Sequence, residues 1–219
     1  MSKSRQETPR NYHHGDLRNA LIIAAAELIE ESGSTDFAMI DAARRAGVSS
    51  AAPYRHFRDK SAILEAVVEF AFFALARDME AVIPQNARDS IATIVALGQA
   101  YIRFVTGHPQ FYALMWGDLG DREVRQTDTE LRSSGFYILV DAVRAWCEQN
   151  DRGDEDALTL AIKLWGMAHG LSGIAMHGHI ERFLPQADVY SLLETSTYTF
   201  LDGVRQGQNK GSGPSLKRT

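Results

Sequence analysis

The hydrophobic positions of this 219-residue chain recur at the three- and four-residue spacing of amphipathic helices. The first stripe predicts a helix over residues 16–31, with Asp16 as its N-cap and Ser32-Gly33-Ser34 at its end. Two short helices follow, split at Gly47, and their apolar residues are small. The pattern therefore predicts a compact group of helices in the first quarter of the chain.

A long helix is predicted next, from Asp59 to a point before Pro84. Its residues 66–76 are apolar nearly all round, so we expect them to be buried between other elements. Helical patterns continue over residues 89–106, 110–116, 124–149, 155–176 and 188–205. No run alternates as a strand would and no fixed period repeats, so the sequence predicts an all-α protein.

Composition and charge are typical of a cytoplasmic globular protein with no membrane segment. Apolar residues make up 45 % of the chain and charged residues 23 %. The longest uncharged run has 17 residues with four glycines and three histidines, whereas a bilayer span needs about 20 apolar residues. A single cysteine, Cys147, excludes an intramolecular disulfide. The net charge is −5, but residues 1–60 hold nine Lys and Arg against eight Asp and Glu, so a local basic face can still bind phosphates.

The segment around Gly47 has the features of a helix-turn-helix. Glycine allows a positive φ, so two short helices can cross steeply after a few residues. Ser49 or Ser50 can cap the second helix, and Pro53 fits only in its first turn. Such a helix presents its N-terminal end to base edges in the major groove.

Donor side chains follow on this second helix, and each fits one kind of DNA contact. Arg55 is predicted to pair with guanine, and Ala51 to touch a thymine methyl group. Tyr54, His56 and Lys60 are predicted to contact phosphates and to position the helix. A helix, a glycine and a second helix also occur in many proteins that do not bind DNA, so the flanking residues decide between the two interpretations.

Residues 16–72 resemble the DNA-binding domain of the TetR (tetracycline repressor) family of bacterial transcription regulators. The runs that carry the resemblance are Ala25-Ala26-Glu27-Leu28-Ile29 with Gly33, Ala43-Arg44-Arg45-Ala46-Gly47-Val48-Ser49, and Tyr54-Arg55-His56-Phe57-Arg58-Asp59-Lys60 with Leu64. The chain departs from the family at Ala38, where a capping threonine is common, and at Pro53, which replaces a common leucine.

The resemblance implies specific roles for the residues that match the family motif. Backbone contacts are implied for Tyr54, His56 and Lys60, and base contacts for Ser50, Ala51 and Arg55. The full predicted DNA-binding set is Arg45, Ser49, Ser50, Ala51, Tyr54, Arg55, His56 and Lys60.

The resemblance also implies that the rest of the chain is a larger helical domain for ligand binding and dimerisation. Leu164-Trp165-Gly166-Met167-Ala168-His169-Gly170-Leu171 resembles a C-terminal subtype with a Trp–His–Gly signature. Trp165 and His169 share one helix face. The predicted pocket residues are Phe111, Tyr112, Met115, Trp116, Trp165 and His169, although aromatic and methionine side chains at this spacing also form ordinary cores.

The last two predicted helices carry more apolar side chains than one protomer needs to bury. The predicted dimer interface comprises Leu160, Leu164, Leu171, Ile174, Leu193, Phe200, Leu201 and Val204. A twofold dimer would place two recognition helices about 34–36 Å apart, to match a palindromic operator.

Two other functions compete with DNA binding. His169, His177 and His179 lie near one another, but they lack the spacing of a zinc enzyme, and no catalytic motif is present. No metal, cofactor or enzyme activity is therefore predicted. A helical ligand- or partner-binding protein that never contacts DNA is the second alternative.

The sequence thus predicts a four-part organisation. Residues 1–15 form a flexible arm, 16–76 a three-helix DNA-binding domain, 77–206 the ligand-binding and dimerisation domain, and 207–219 a disordered tail. A long helix joins the two domains. We expect a homodimeric repressor of a palindromic operator, released by a small and largely apolar effector molecule.

Overall fold

The computed structural model describes residues 14–83, 90–117, 135–151 and 154–207. Within these ranges the chain forms ten helices and no strand, which confirms the all-α prediction. The chain divides into two compact units, one that ends at Phe70 and one that begins at Ala71. The division falls inside one long helix.

The first unit contains three helices and the start of a fourth. They are α1 (His14–Ser32), α2 (Met39–Arg45), α3 (Pro53–His56) and α4 (Lys60–Ala81). α1 packs against both α2 and α3. The buried side chains of this unit are mostly small or branched: Leu21, Ala25, Ile29, Phe37, Ala42, Ala43, Phe57, Ile63 and Val67. Small residues let such short helices pack closely.

Carboxylates satisfy free backbone N–H groups at the starts of two helices in the first unit. Asp41 Oδ2 accepts a hydrogen bond from the Ala38 N–H at 3.2 Å, so α2 is capped by a residue of its own first turn in place of a threonine. Asp59 Oδ1 accepts from the Ala62 N–H at 2.9 Å and caps α4 where the sequence predicts its start.

The apolar stretch of α4 is buried on only part of its circumference. Val67, Ala71 and Leu75 are buried, but 61 % of Phe73 is exposed. The prediction that residues 66–76 are buried on all sides is therefore wrong at Phe73. An apolar composition does not by itself place a neighbour on every side of a helix.

The second unit is a bundle of six helices. They are α5 (Ile91–Gly107), α6 (Pro109–Trp116), α7 (Gly135–Gln149), α8 (Asp154–Met176), α9 (His179–Phe183) and α10 (Val189–Gly207). The end of α4 belongs to the same unit. α8 packs against α5, α7 and α10, and α5 also packs against α10. A Cβ atom on Gly98 would lie 2.8 Å from Leu193 Cδ2, so glycine permits this approach of α5 to α10.

Most helix bounds agree with the sequence prediction, and two points differ. The predicted helix over 124–149 is observed as Gly135–Gln149, and its first part lies outside the described residues. α9 was not predicted, because its five residues are too few to show a helical period. Gly178, with φ 68°, provides the turn that starts it.

The φ of Gly47 is +70°, and nothing lies within 4 Å of a Cβ atom placed there. The cost of a side chain is therefore backbone strain alone. We expect Gly47→Ala to lower the free energy of unfolding by about 1 kcal/mol, and Gly47→Asn to cost less. Urea unfolding followed by circular dichroism measures this change.

Gly107→Ala is the matched control, since Gly107 ends α5 in an ordinary helical conformation with equally open surroundings. There the substitution should leave stability unchanged or raise it by up to about 1 kcal/mol. Equal losses at the two glycines would contradict the strain argument.

Candidate functional site

The turn between α2 and α3 is closed by a set of backbone hydrogen bonds. The Ala46 N–H donates to Ala42 O at 2.9 Å, and the Val48 N–H donates to Ala43 O at 3.0 Å. These bonds satisfy carbonyl groups at the end of α2, while the left-handed conformation of Gly47 redirects the chain. The helix-turn-helix predicted from the sequence is therefore present.

The start of α3 differs from the prediction. Neither Ser49 nor Ser50 caps the helix: its N-cap is Ala52, and no side chain accepts a hydrogen bond there. The Ala52 N–H donates to Ser49 O at 2.9 Å, which forms a turn before the helix. Pro53 occupies the first helical turn, where a missing N–H costs nothing.

This late start places Ser50 and Ala51 in the turn rather than on α3, and both are exposed. Ala52 and Pro53 are buried and hold the beginning of the helix against the unit. The cost of proline inside a helix explains why α3 is reduced to a single turn.

α3 presents two of its four side chains to solvent. Tyr54 is 62 % exposed and Arg55 is also exposed, whereas His56 is half-buried. Phe57 follows the helix and is buried, with the Arg18 guanidinium 5.2 Å from its ring centre. The helix therefore has a buried anchor at each end and a polar outer face.

Arg45, a member of the predicted DNA-binding set, contacts acidic side chains of α1. Its guanidinium pairs with both carboxylate oxygens of Glu31, and it lies 3.4 Å from Glu27 Oε2. The hydrogen bond from Arg45 lowers the pKa of Glu31. Arg45 thus joins α2 to α1, and its contact with DNA stays a prediction.

Lys60 lies at the start of α4, and its ammonium group already has partners in the first unit. Its Nζ is 3.3 Å from Asp36 Oδ1 and 5.2 Å from the ring centre of Phe37. The Asp36 side chain is 97 % exposed, and pairs between exposed charges contribute little stability. Lys60 is therefore held in place only weakly by this pair.

The second unit contains a cavity of about 230 Å³. It lies among α4, α5, α6, α7, α8 and α10, and it includes no Asp, Glu, Lys or Arg side chain among its described lining residues. Apolar and aromatic residues form most of the wall, with Phe72, Leu75, Tyr101, Trp116, Phe136 and Trp165 as representative members. Such a cavity suits an apolar ligand.

Aromatic rings form one side of this cavity. The ring centres of Trp116 and Trp165 are 5.3 Å apart, and that of Phe72 lies 5.5 Å from Trp116 in an edge-to-face arrangement. These separations are within the range of favourable aromatic pairs.

A hydrogen-bonded chain of three side chains runs from this aromatic side. The Tyr101 hydroxyl is 2.7 Å from His169 Nδ1, and the Tyr112 hydroxyl is 3.1 Å from His169 Nε2. Burial lowers the pKa of His169 and raises the pKa of both tyrosines. The lowered imidazole pKa and the raised phenol pKa values favour the neutral forms of all three groups at pH 7. Each tyrosine hydroxyl can donate to or accept from the imidazole nitrogen that it faces.

The structure separates the predicted pocket residues into three groups. Trp116 and Trp165 line the cavity, and His169 and Tyr112 lie behind it, joined to it through Tyr101. Phe111 and Met115 are buried and are not among the described residues that line the cavity. Phe111 instead stacks on His108, with ring centres 5.3 Å apart.

Sequence reasoning missed the lining residues that come from other helices. Phe72 and Met79 lie on α4, Tyr101 on α5 and Phe136 on α7. The only sequence signal for them was the apolar composition of α4, because a helical pattern does not show which helices meet around a space.

Half of the predicted dimer-interface residues are buried within a single protomer. Leu160, Leu164, Leu193 and Leu201 are at most 5 % exposed, so they pack in the core and are unavailable to a partner. Ile174 is 45 % exposed, and the remaining members, Leu171, Phe200 and Val204, are half-buried.

The histidines of the second unit do not form a metal site within the described part of the chain. No group of three or more His, Cys, Asp or Glu side chains there could hold a metal ion. His177 and His179 stack with ring centres 6.0 Å apart, near the end of α8 and the start of α9. Among the same residues, no helix is both long and apolar enough to span a bilayer.

Two family models match the chain, one in each unit. Residues 21–67 match the family described as bacterial regulatory proteins, tetR family, and residues 94–197 match a tetracyclin repressor-like C-terminal domain. Neither description names the Trp–His–Gly subtype, which stays a prediction. Comparison with curated proteins gives no match.

Several solved structures share the fold. A protein of unknown function from Rhodococcus sp. RHA1 is 30 % identical with a TM-score of 0.69, over 89 % of this chain and 98 % of its own. A TetR transcriptional regulator from Streptomyces coelicolor is 17 % identical with a TM-score of 0.64, over 86 % and 97 %. RolR in complex with resorcinol is 14 % identical with a TM-score of 0.59, over 93 % and 97 %.

The helix-turn-helix of the first unit and the helical bundle of the second thus each match the corresponding part of one family. The chain belongs to the TetR family of bacterial transcription regulators.

Proposed function

We propose that this regulator is a repressor that binds a palindromic operator as a homodimer and leaves it when a small apolar molecule fills the cavity. The observation that carries the DNA-binding part is the outer face of α3, where Tyr54 and Arg55 are exposed directly after the Gly47 turn. A major groove accepts a helix presented in this way. Ser50 and Ala51 approach the bases from the preceding turn.

The experiment that tests this function is selection of duplexes from a random pool with the full chain. A palindromic sequence with two half-sites about one helical turn apart is the expected product. If no sequence is enriched, or if binding does not weaken as salt rises, the chain does not read DNA. That outcome would favour the partner-binding alternative.

Lys60 is proposed to bind a phosphate in exchange for Asp36. The Lys60–Asp36 pair is solvent-exposed, so a phosphate can displace the carboxylate at little cost. We expect Lys60→Ala to weaken binding to all duplexes similarly and to lower the slope of log K against log salt by about one unit. Fluorescence anisotropy titrations at several salt concentrations measure both quantities.

Arg103→Ala is the control for this charge change, because Arg103 is an exposed cation on α5 in the other unit. It should leave the salt slope unchanged. A slope that falls equally in both variants would show that total charge, rather than the position of Lys60, governs binding.

Arg55 is proposed to read a base, since it is exposed on α3 and has the planar donor geometry that fits guanine. Replacement by alanine should cost about 1–3 kcal/mol of discrimination at one position of each half-site. Competition binding with operators changed one base pair at a time locates that position. A uniform loss at every position would instead place Arg55 on a phosphate.

The dimer is proposed to form through the outer face of α8 together with α10. Ile174 is exposed on that face, and Cβ atoms added at Gly166 and Gly170 would meet nothing within 4 Å, so a partner helix can approach closely. Leu171, Phe200 and Val204 are the other candidate contacts. A twofold interface of this kind pairs the same surface on both copies.

Ile174→Glu should convert the dimer to monomers and reduce operator affinity, because it places a charge in an apolar interface. Sedimentation velocity measures the oligomeric state. Leu158→Glu is the matched control: Leu158 is similarly exposed on α8 but lies about 160° around the helix. If both variants remain dimeric, the interface lies elsewhere.

Ligand release is proposed to act through α4. Phe72, Leu75 and Met79 line the cavity, and the same helix begins at Lys60 in the DNA-binding unit. A ligand that favours one position of α4 would change operator affinity by its difference in affinity for the two states. The bound resorcinol in the structure of RolR, which has the same fold, supports a small-molecule effector.

A further inference from the structure

The volume of the cavity limits the size of the effector. A cavity of about 150 Å³ in another protein binds benzene, and the cavity here measures about 230 Å³. The space can therefore hold one or two aromatic rings with a small substituent.

The described lining residues offer no counter-charge to an ion. No Asp, Glu, Lys or Arg is among the described residues that line the cavity, so an ion would lose its hydration without gaining a counter-charge. The rings of Phe72, Trp116 and Trp165 offer flat surfaces for a planar ligand. Aromatic faces can also attract a cation, so a cationic ligand is the rival that an experiment must test.

One corner of the cavity is polar. Tyr101 lines the wall, and its hydroxyl is 2.7 Å from His169 Nδ1. Burial raises the pKa of Tyr101. A phenol both donates and accepts hydrogen bonds, so a ligand hydroxyl beside Tyr101 can share a hydrogen bond with it alongside His169.

We propose that the cavity selects a neutral, one- or two-ring aromatic molecule whose hydroxyl group sits beside Tyr101. This inference rests on the proposed ligand-binding function and adds the chemical class of the effector. Tyr101 is the residue that determines specificity, and His169 positions it.

The test is calorimetric titration of the full chain, without DNA, with four matched probes: naphthalene, 2-naphthol, 2-naphthoate and (2-naphthyl)methylammonium. We expect 2-naphthol to bind about tenfold more tightly than naphthalene, because it gains a hydrogen bond. Each ion should bind at least about a hundredfold more weakly than 2-naphthol. Binding of either ion as tight as that of 2-naphthol, or no binding of any probe, would overturn the proposal.

Tyr101→Phe should abolish the preference for 2-naphthol over naphthalene, whereas Tyr190→Phe should keep it. Tyr190 is a half-buried tyrosine of α10 that does not line the cavity, so it controls for the loss of a hydroxyl. Circular dichroism checks folding. If Tyr101→Phe does not fold, His169→Phe removes the side chain that positions the Tyr101 hydroxyl and should also reduce the preference. A preference that persists in a folded variant at this corner contradicts the assignment.

Titration of the complex with operator DNA separates this inference from the proposed function. If 2-naphthol binds with the expected selectivity and leaves operator affinity unchanged, ligand release fails while the ligand class stands. If operator is released by 2-naphthoate and not by 2-naphthol, ligand release stands and the ligand class is wrong.

Discussion

The packing of α8 against α5, α7 and α10 is the interaction on which the second unit depends. One face of this helix fills the core with Leu160, Leu164 and Ala168. An adjacent face brings Trp165 to the cavity and His169 to the tyrosine hydroxyls. Because a helix is a rigid cylinder with 3.6 residues per turn, fixing its core face fixes the direction of all the others.

The packing of α8 also explains why the side chains around His169 are uncharged. His169 is enclosed far enough for burial to lower its pKa, and the two tyrosine hydroxyls then complete its hydrogen bonds. A charged imidazole would lose more hydration on burial than a neutral one. The aromatic side of the cavity therefore remains uncharged without a compensating ion pair.

In the first unit the corresponding constraint is the short connection between α2 and α3. Gly47 makes the turn, and Pro53 prevents α3 from starting earlier. The donors of this region consequently take different roles. Arg45 joins α2 to α1 through Glu31, while Arg55 points to solvent. Both are arginines of the same motif. Their roles differ because Arg45 lies beside the acidic residues Glu27 and Glu31 of α1.

The sequence by itself determined the helices, the turn at Gly47 and the family, because these depend on local periodicity, capping residues and backbone freedom. From their spacing it also predicted Trp116 and Trp165 as pocket residues, and the structure places both on the cavity wall. The sequence did not distinguish them from Phe111 and Met115, which have the same spacing and are buried in the core.

Only the tertiary structure decided which side chains face one another. Tyr101 and His169 are 68 residues apart in the chain, and Arg45 and Glu31 lie on different helices. Likewise, Leu193 and Leu201 were as plausible an interface as Ile174 until packing buried them. A periodic pattern shows that a helix has an apolar face, but the neighbour that covers this face is determined by contacts between residues distant in sequence.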